Sequence, residues 1–88
     1  MSTPPVGIEA EVAAATGAPF DGFLQRLGQN IQEARKKTGL KQMDVHSRTG
    51  LTYRHYQNIE AGRVNVTVET LHRLAGLFRC RIQDLVRE

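Results

Sequence analysis

The sequence predicts an all-α domain of five short helices preceded by an N-terminal extension. From Phe20 onward, apolar residues recur every three or four positions, the stripe of amphipathic helices. Capping and helix-stopping residues stand between successive stripes. No stretch keeps the polar–apolar alternation of a half-buried strand; Arg63 to Val68 has four valine or threonine residues but lies between two helix signals.

The first helix carries Leu24, Leu27, Ile31 and Ala34 on one side. Asp21 is its expected N-cap, and Lys36, Lys37 and Gly39 are its C-terminal signals. A second helix is expected over Gln42 to Thr49, stopping at Gly50. The third starts from Thr52 as N-cap and runs to about Ala61, with Tyr56 and Ile59 inward and Gly62 ending it. Thr67 caps the fourth, whose Leu71, Leu74, Ala75 and Phe78 fall at i, i+3, i+4 and i+7. A short last helix holds Ile82, Leu85 and Val86.

The boundaries follow from composition. Residues 1–19 form an extension punctuated by proline and glycine at both ends, with large apolar groups scarce. Glu9 to Ala15 reads as a transient helix in a tail, or as an arm that docks on a second subunit. Residues 20–88 form the folded domain. At 88 residues and 9.8 kDa the chain holds one core, too small for a large enzyme with a deep pocket. The longest apolar run, Val12 to Ala15, falls far short of the roughly 18 residues of a membrane span. The first basic residue is Arg26, which argues against a targeting peptide. The single cysteine, Cys80, has no disulfide partner in the chain and is expected to be buried and inert; a cytoplasmic protein is the simple reading.

Charge is unevenly placed. Residues 21–88 carry all 12 basic residues and seven of the nine acidic ones, a net +5 that attracts polyanions at long range. Catalysis is not expected. His46, His55, His72 and Cys80 lack any metal-ligand spacing, and the chain has neither a glycine-rich phosphate loop nor a nucleophile elbow. No cofactor, metal or small-molecule substrate is therefore expected.

Two short helices joined through Gly50-Leu51-Thr52 have the spacing of a helix-turn-helix. Gln42, Val45, Gly50, Thr52, Ile59, Glu60 and Gly62, then Leu71, Leu74, Ala75, Phe78, Ile82 and Leu85, resemble the Cro/cI-type helix-turn-helix, the XRE family. With Leu27, Gly28, Ile31, Arg35 and Leu40, the resemblance covers residues 24–88. It implies a five-helix, lambda-repressor-like domain that binds double-stranded DNA as a transcriptional regulator, a dimeric repressor in the usual case.

The resemblance assigns roles by position. Arg35 and Glu60 match a structural ion pair between the first helix and the end of the recognition helix. Gln42 matches a phosphate-contacting glutamine, a role shared in this reading with Thr52, His55, Lys37, Lys41 and Arg63. Tyr53, Arg54, Gln57 and Asn58 form the base-reading face, with Arg54 suited to guanine and Asn58 to adenine. The chain also departs from the pattern. His46 stands where a small alanine is usual and must tilt the helices, reach a partner or point outward. Lys41 replaces the usual Ser/Thr cap, and Val66 the usual proline. Arg79 and Arg81 replace glycine and serine, which predicts a poorly capped turn. The rival reading is a protein-interaction module of the same fold, such as an antitoxin that binds a toxin and regulates its own promoter. In that reading Arg54, Gln57 and Asn58 have no need to face outward.

Overall fold

The computed structural model describes residues 17–88, with side chains from Phe20 onward. Five helices follow in order: α1 (Gly17–Lys37), α2 (Gln42–Thr49), α3 (Tyr53–Glu60), α4 (Val68–Phe78) and α5 (Ile82–Val86). The described residues contain no strand. The expected turn of helix between Glu9 and Ala15 lies outside the described residues.

One core joins all five helices. Leu24, Leu27 and Ile31 come from α1, Val45 from α2, Tyr56 and Ile59 from α3, Leu71, Leu74, Ala75 and Phe78 from α4, and Leu85 from α5. Each large aliphatic or aromatic side chain taken fully out of water there contributes about 1.5–3 kcal/mol. Ala34, Ile82 and Val86 pack only at the edge of this core. α1 is the long element on which α3, α4 and α5 rest, while α2 packs on α3.

α1 starts at Gly17, one turn before the Asp21 cap that the sequence predicts. The helix thus already includes Pro19, which the sequence reads as the end of the preceding segment. Asp21 is then an exposed residue inside the helix. The other caps are side chains at their expected places. Thr52 Oγ1 accepts from the His55 N–H at 3.1 Å, and Thr67 Oγ1 from the Thr70 N–H at 3.0 Å. Where Lys41 and Arg81 replace shorter caps, the third helical residue compensates. Asp44 Oδ2 accepts from the Lys41 N–H at 2.8 Å, and Asp84 Oδ2 from the Arg81 N–H at 2.9 Å. This is the carboxylate half of a capping box.

The end of α4 corrects the expectation of a poorly capped turn. Arg79 takes the left-handed conformation (φ 59°, ψ 44°), and the Cys80 N–H reaches back to the Ala75 carbonyl at 3.0 Å. The carbonyls are therefore paired as in a Schellman motif, and the cost falls on the Arg79 backbone instead. Cys80 is half-buried, not sealed in the core; burial, then the Asp84 carboxylate, pushes its thiol pKa up, away from reactivity.

Asn30, a buried polar residue on α1, fastens the end of the described chain. Its Nδ2 donates to the Leu85 carbonyl at 2.9 Å and to the Arg87 carbonyl at 2.8 Å. Beside it, Arg26 Nη1 donates to the Glu88 carbonyl at 2.7 Å.

α1 and α3 approach each other closely at Gly28. A Cβ there would lie 2.3 Å from the Glu60 carbonyl oxygen and 2.7 Å from that of Ile59, both rigid backbone atoms. α1 thus crosses the last turn of α3 in direct backbone contact, which only glycine permits.

Two stability predictions follow from this geometry. Gly28→Ala is expected to cost about 2–3 kcal/mol through overpacking, lowering the melting temperature by roughly 10–20 °C; an unchanged melting temperature would contradict the close crossing. Arg79→Gly is expected to raise stability by about 0.5–1 kcal/mol by relieving the left-handed backbone, read as a higher midpoint in urea.

Candidate nucleic-acid interface

Thr49 to Tyr53 carries the chain from α2 to α3. Gly50 occupies the left-handed region (φ 81°), and its N–H caps the His46 carbonyl at 3.1 Å. A side chain there would be strained, so glycine suits the turn that leads into α3. Of the three outcomes that the sequence leaves open for His46, the side chain takes the second and reaches a partner. Its half-buried ring turns to the backbone of the turn, where Nδ1 donates to the Leu51 carbonyl. A carbonyl only accepts, so Nδ1 carries the proton. Thr49 Oγ1 completes the turn, donating to the Val45 carbonyl at 2.7 Å and accepting from the Leu51 N–H at 3.2 Å.

α3 has two chemically opposed sides. Tyr56, Ile59 and Glu60 are buried. Arg54, Gln57 and Asn58, at i, i+3 and i+4, share the opposite side; Arg54 and Gln57 are exposed and Asn58 is half-buried. Tyr53 and His55 flank them at the start of the helix, both exposed. The residues that the sequence assigns to base reading thus lie together on one outward surface of one short helix.

That helix is held from behind by a saturated carboxylate. Glu60 Oε2 accepts from Arg35 Nε at 2.6 Å and from the Tyr56 hydroxyl. Glu60 Oε1 accepts from Arg35 Nη2 at 3.3 Å and from Gln42 Nε2 at 2.9 Å. Arg35 Nη1 also donates to the Leu40 carbonyl at 2.9 Å. Its hydrogen bond to Glu60 is the chief cause that raises the Arg35 pKa above its ordinary value. Burial, followed by the hydrogen bond to Glu60, pushes the Tyr56 phenol far above its usual range and keeps it protonated.

Two expected phosphate contacts are placed differently. Gln42 does not present its amide nitrogen to solvent: the residue is half-buried, with Nε2 turned onto Glu60. A hydrogen bond to a charged acceptor is worth about 1.5–3 kcal/mol, more than an exposed amide gains from water, which draws the side chain inward. Lys37 lies away from α3. It lines a groove with Phe78, Arg79 and Cys80, and a second with Arg48 and Leu77. Thr52, His55, Lys41 and Arg63 are exposed on α3 or on the segments flanking α2 and α3. Sequence reasoning missed the Tyr56 hydroxyl as a member of the Glu60 cluster. Its i, i+4 spacing to Glu60 was the available signal.

The Tyr56 phenol gives a pH prediction. Its pKa is raised in the folded state, so its contribution to stability is complete below the unfolded-state value of about 10 and is lost as pH rises beyond it. Tyr56→Phe is expected to flatten the decline of stability above about pH 10 while lowering stability at neutral pH by about 1–2 kcal/mol. Denaturant titrations across that range check both; an identical alkaline slope in the two proteins would contradict the assignment.

Comparison with known proteins agrees with this architecture. The helix-turn-helix family model matches residues 31–85. An uncharacterized HTH-type transcriptional regulator, y4dJ of Sinorhizobium fredii, is 39% identical over 60 residues, spanning 68% of this chain and 78% of that protein. The HTH-type transcriptional regulator DdrOP3 of Deinococcus deserti is 28% identical over 61 residues, spanning 69% of this chain and 47% of that protein. None of the solved structures matches the chain significantly. The chain belongs to the helix-turn-helix family of the Cro/cI (XRE) type, whose members are DNA-binding transcriptional regulators.

Proposed function

We propose that the chain reads a specific double-stranded DNA site as a homodimer and represses transcription there. In this reading α3 enters the major groove. Arg54 grips guanine O6 and N7, Asn58 and Gln57 read neighbouring base edges, and Tyr53 packs on a thymine methyl or reaches a phosphate. Thr52 keeps its own hydroxyl proton as a donor to a phosphate oxygen, and His55, Lys41 and Arg63 supply further backbone contacts. Lys37 leaves that set because of its place beside the end of α4. The observation that carries the reading is the outward cluster of Arg54, Gln57 and Asn58 on a helix whose inner side is fixed by Glu60. A protein-interaction module has no need of such side chains there.

The reading assigns binding alone, in the cytoplasm, with no reaction catalysed and no cofactor or metal. In such a dimer the half-site centres lie about 34–36 Å apart, one turn of DNA.

Selection of a randomised duplex pool by the full chain at moderate salt tests this directly. Enrichment of a palindrome supports a dimeric reader, a single short word supports a monomeric one, and no enrichment sinks the DNA reading in favour of a protein partner. With the selected site in hand, Arg54→Ala is expected to weaken specific binding by about 1–3 kcal/mol and relax preference at one base pair. Lys41→Ala is expected to weaken all sequences alike and reduce the salt slope by about one; a loss confined to one sequence would contradict a phosphate role.

A further inference from the structure

The hydrogen bonds behind α3 run in one direction and end on the reading surface. Glu60 is a carboxylate surrounded by donors, so the Gln42 group facing it at 2.9 Å must be the amide nitrogen. This fixes the orientation of the whole Gln42 carboxamide, and its oxygen is left to face the other way. That oxygen lies 3.5 Å from Gln57 Nε2, a long contact from the exposed side of α3. An oxygen acceptor selects the nitrogen of Gln57 as its partner, so the Gln57 amide is oriented as well. One N–H of Gln57 is then turned toward Gln42. What remains for the groove is Oε1 with the second N–H beside it, an acceptor and a donor on one edge.

We infer that Gln57 is a specificity-determining adenine reader whose amide polarity is set by the buried Glu60 through Gln42. This rests on α3 reading the major groove, as proposed above. Adenine offers the complementary edge, the N6 amino donor beside the N7 acceptor. Guanine offers two acceptors, O6 and N7, and needs two donors from the same amide; committing one N–H to Gln42 removes that option. A free surface glutamine rotates to suit either purine. Gln42 is in this reading a positioning residue: it touches no base, and its effect is on which base Gln57 accepts.

The test begins with randomised-pool selections on the full-length wild type and Gln57→Met. The base pair whose preference flattens in the variant is the one that Gln57 contacts, and it is expected to be A·T; a G·C pair would overturn the inference. A wild type that enriches no sequence would instead overturn the DNA reading, and this inference with it. In the selected site, adenine at that pair is then replaced by purine, which deletes only the N6 amino group. Wild-type affinity is expected to fall about 5- to 100-fold, the range of one base-edge contact, and Gln57→Met is expected not to respond. Gln42→Met, verified as folded by its melting curve, is expected to bind duplexes carrying adenine or guanine at that pair within about threefold of each other, since removing the relay frees the Gln57 amide to offer guanine two donors. A full preference for adenine over guanine retained by folded Gln42→Met, or indifference of the wild type to the amino group, would overturn the assignment.

Discussion

The Glu60 carboxylate joins three helices at one point. Arg35 comes to it from α1, Gln42 from α2 and Tyr56 from its own α3, and between them they fill both oxygens. None of the buried side-chain polar atoms among the described residues lacks a partner. Saturation is what makes the site tolerable. Removing one partner of a buried ion pair costs about 3–5 kcal/mol, whereas exchanging the whole group for apolar residues is often neutral. The net stability contributed by such a cluster is therefore small, and its main physical consequence is angular. Hydrogen bonds have direction, so a carboxylate satisfied from three helices admits few arrangements of them. An apolar plug of equal volume would admit many.

The backbone contact at Gly28 acts on the same place. The carbonyls of Ile59 and Glu60 that would meet a Cβ at Gly28 are the last of α3, so the end of that helix is pinned by its backbone against α1 and by its side chain against α1 and α2. At the other end, Thr52 caps α3 and the His46 ring holds the Leu51 carbonyl just before it. A helix of eight residues is too short to be stable alone. Held at both ends, it becomes a rigid platform, and the exposed Arg54 and Gln57 are displaced only by their own rotamers. Rigidity matters for reading because a bidentate contact to a base edge is lost with small shifts in position.

Much of this was legible in the sequence. The apolar stripes gave the five helices because burial follows the 3.6-residue period directly, and Thr52, Thr67 and Gly50 marked ends because capping is local chemistry. Arg35 and Glu60 were paired by resemblance, not by anything in their spacing. What the sequence could not show is where long polar side chains go once helices meet. Gln42 has the same composition whether it faces a phosphate or Glu60, and only the packing of α2 on α3 decides. Asn30 lies among the apolar residues of α1, and its role depends on the path of residues 85–87, 55 or more positions away. Asp21 reads as a cap because Pro19 reads as a break, whereas the helix already runs through Pro19 from Gly17. Arg79 was read as a missing cap, whereas the carbonyls kept their partners and the backbone took the strain.

The size of the reading surface bears on the proposed dimer. In the proposed reading, Arg54, Gln57 and Asn58 on one short helix supply each copy with about three base contacts, and each wrong base costs about 1–3 kcal/mol. A three-base word recurs by chance about once in 64 positions, while a genome presents roughly 10⁶ or more competing sites. Selectivity of that order needs about ten specified positions, which one platform cannot supply however rigidly it is held. Two copies on facing half-sites double the word and add the spacing between them as a further constraint, because a dimer of rigid heads accepts only one separation. In the proposed dimer the same rigidity that sharpens each contact would therefore sharpen the spacing, and the Glu60 cluster that fixes α3 within one copy would also set how narrowly two copies together choose their site.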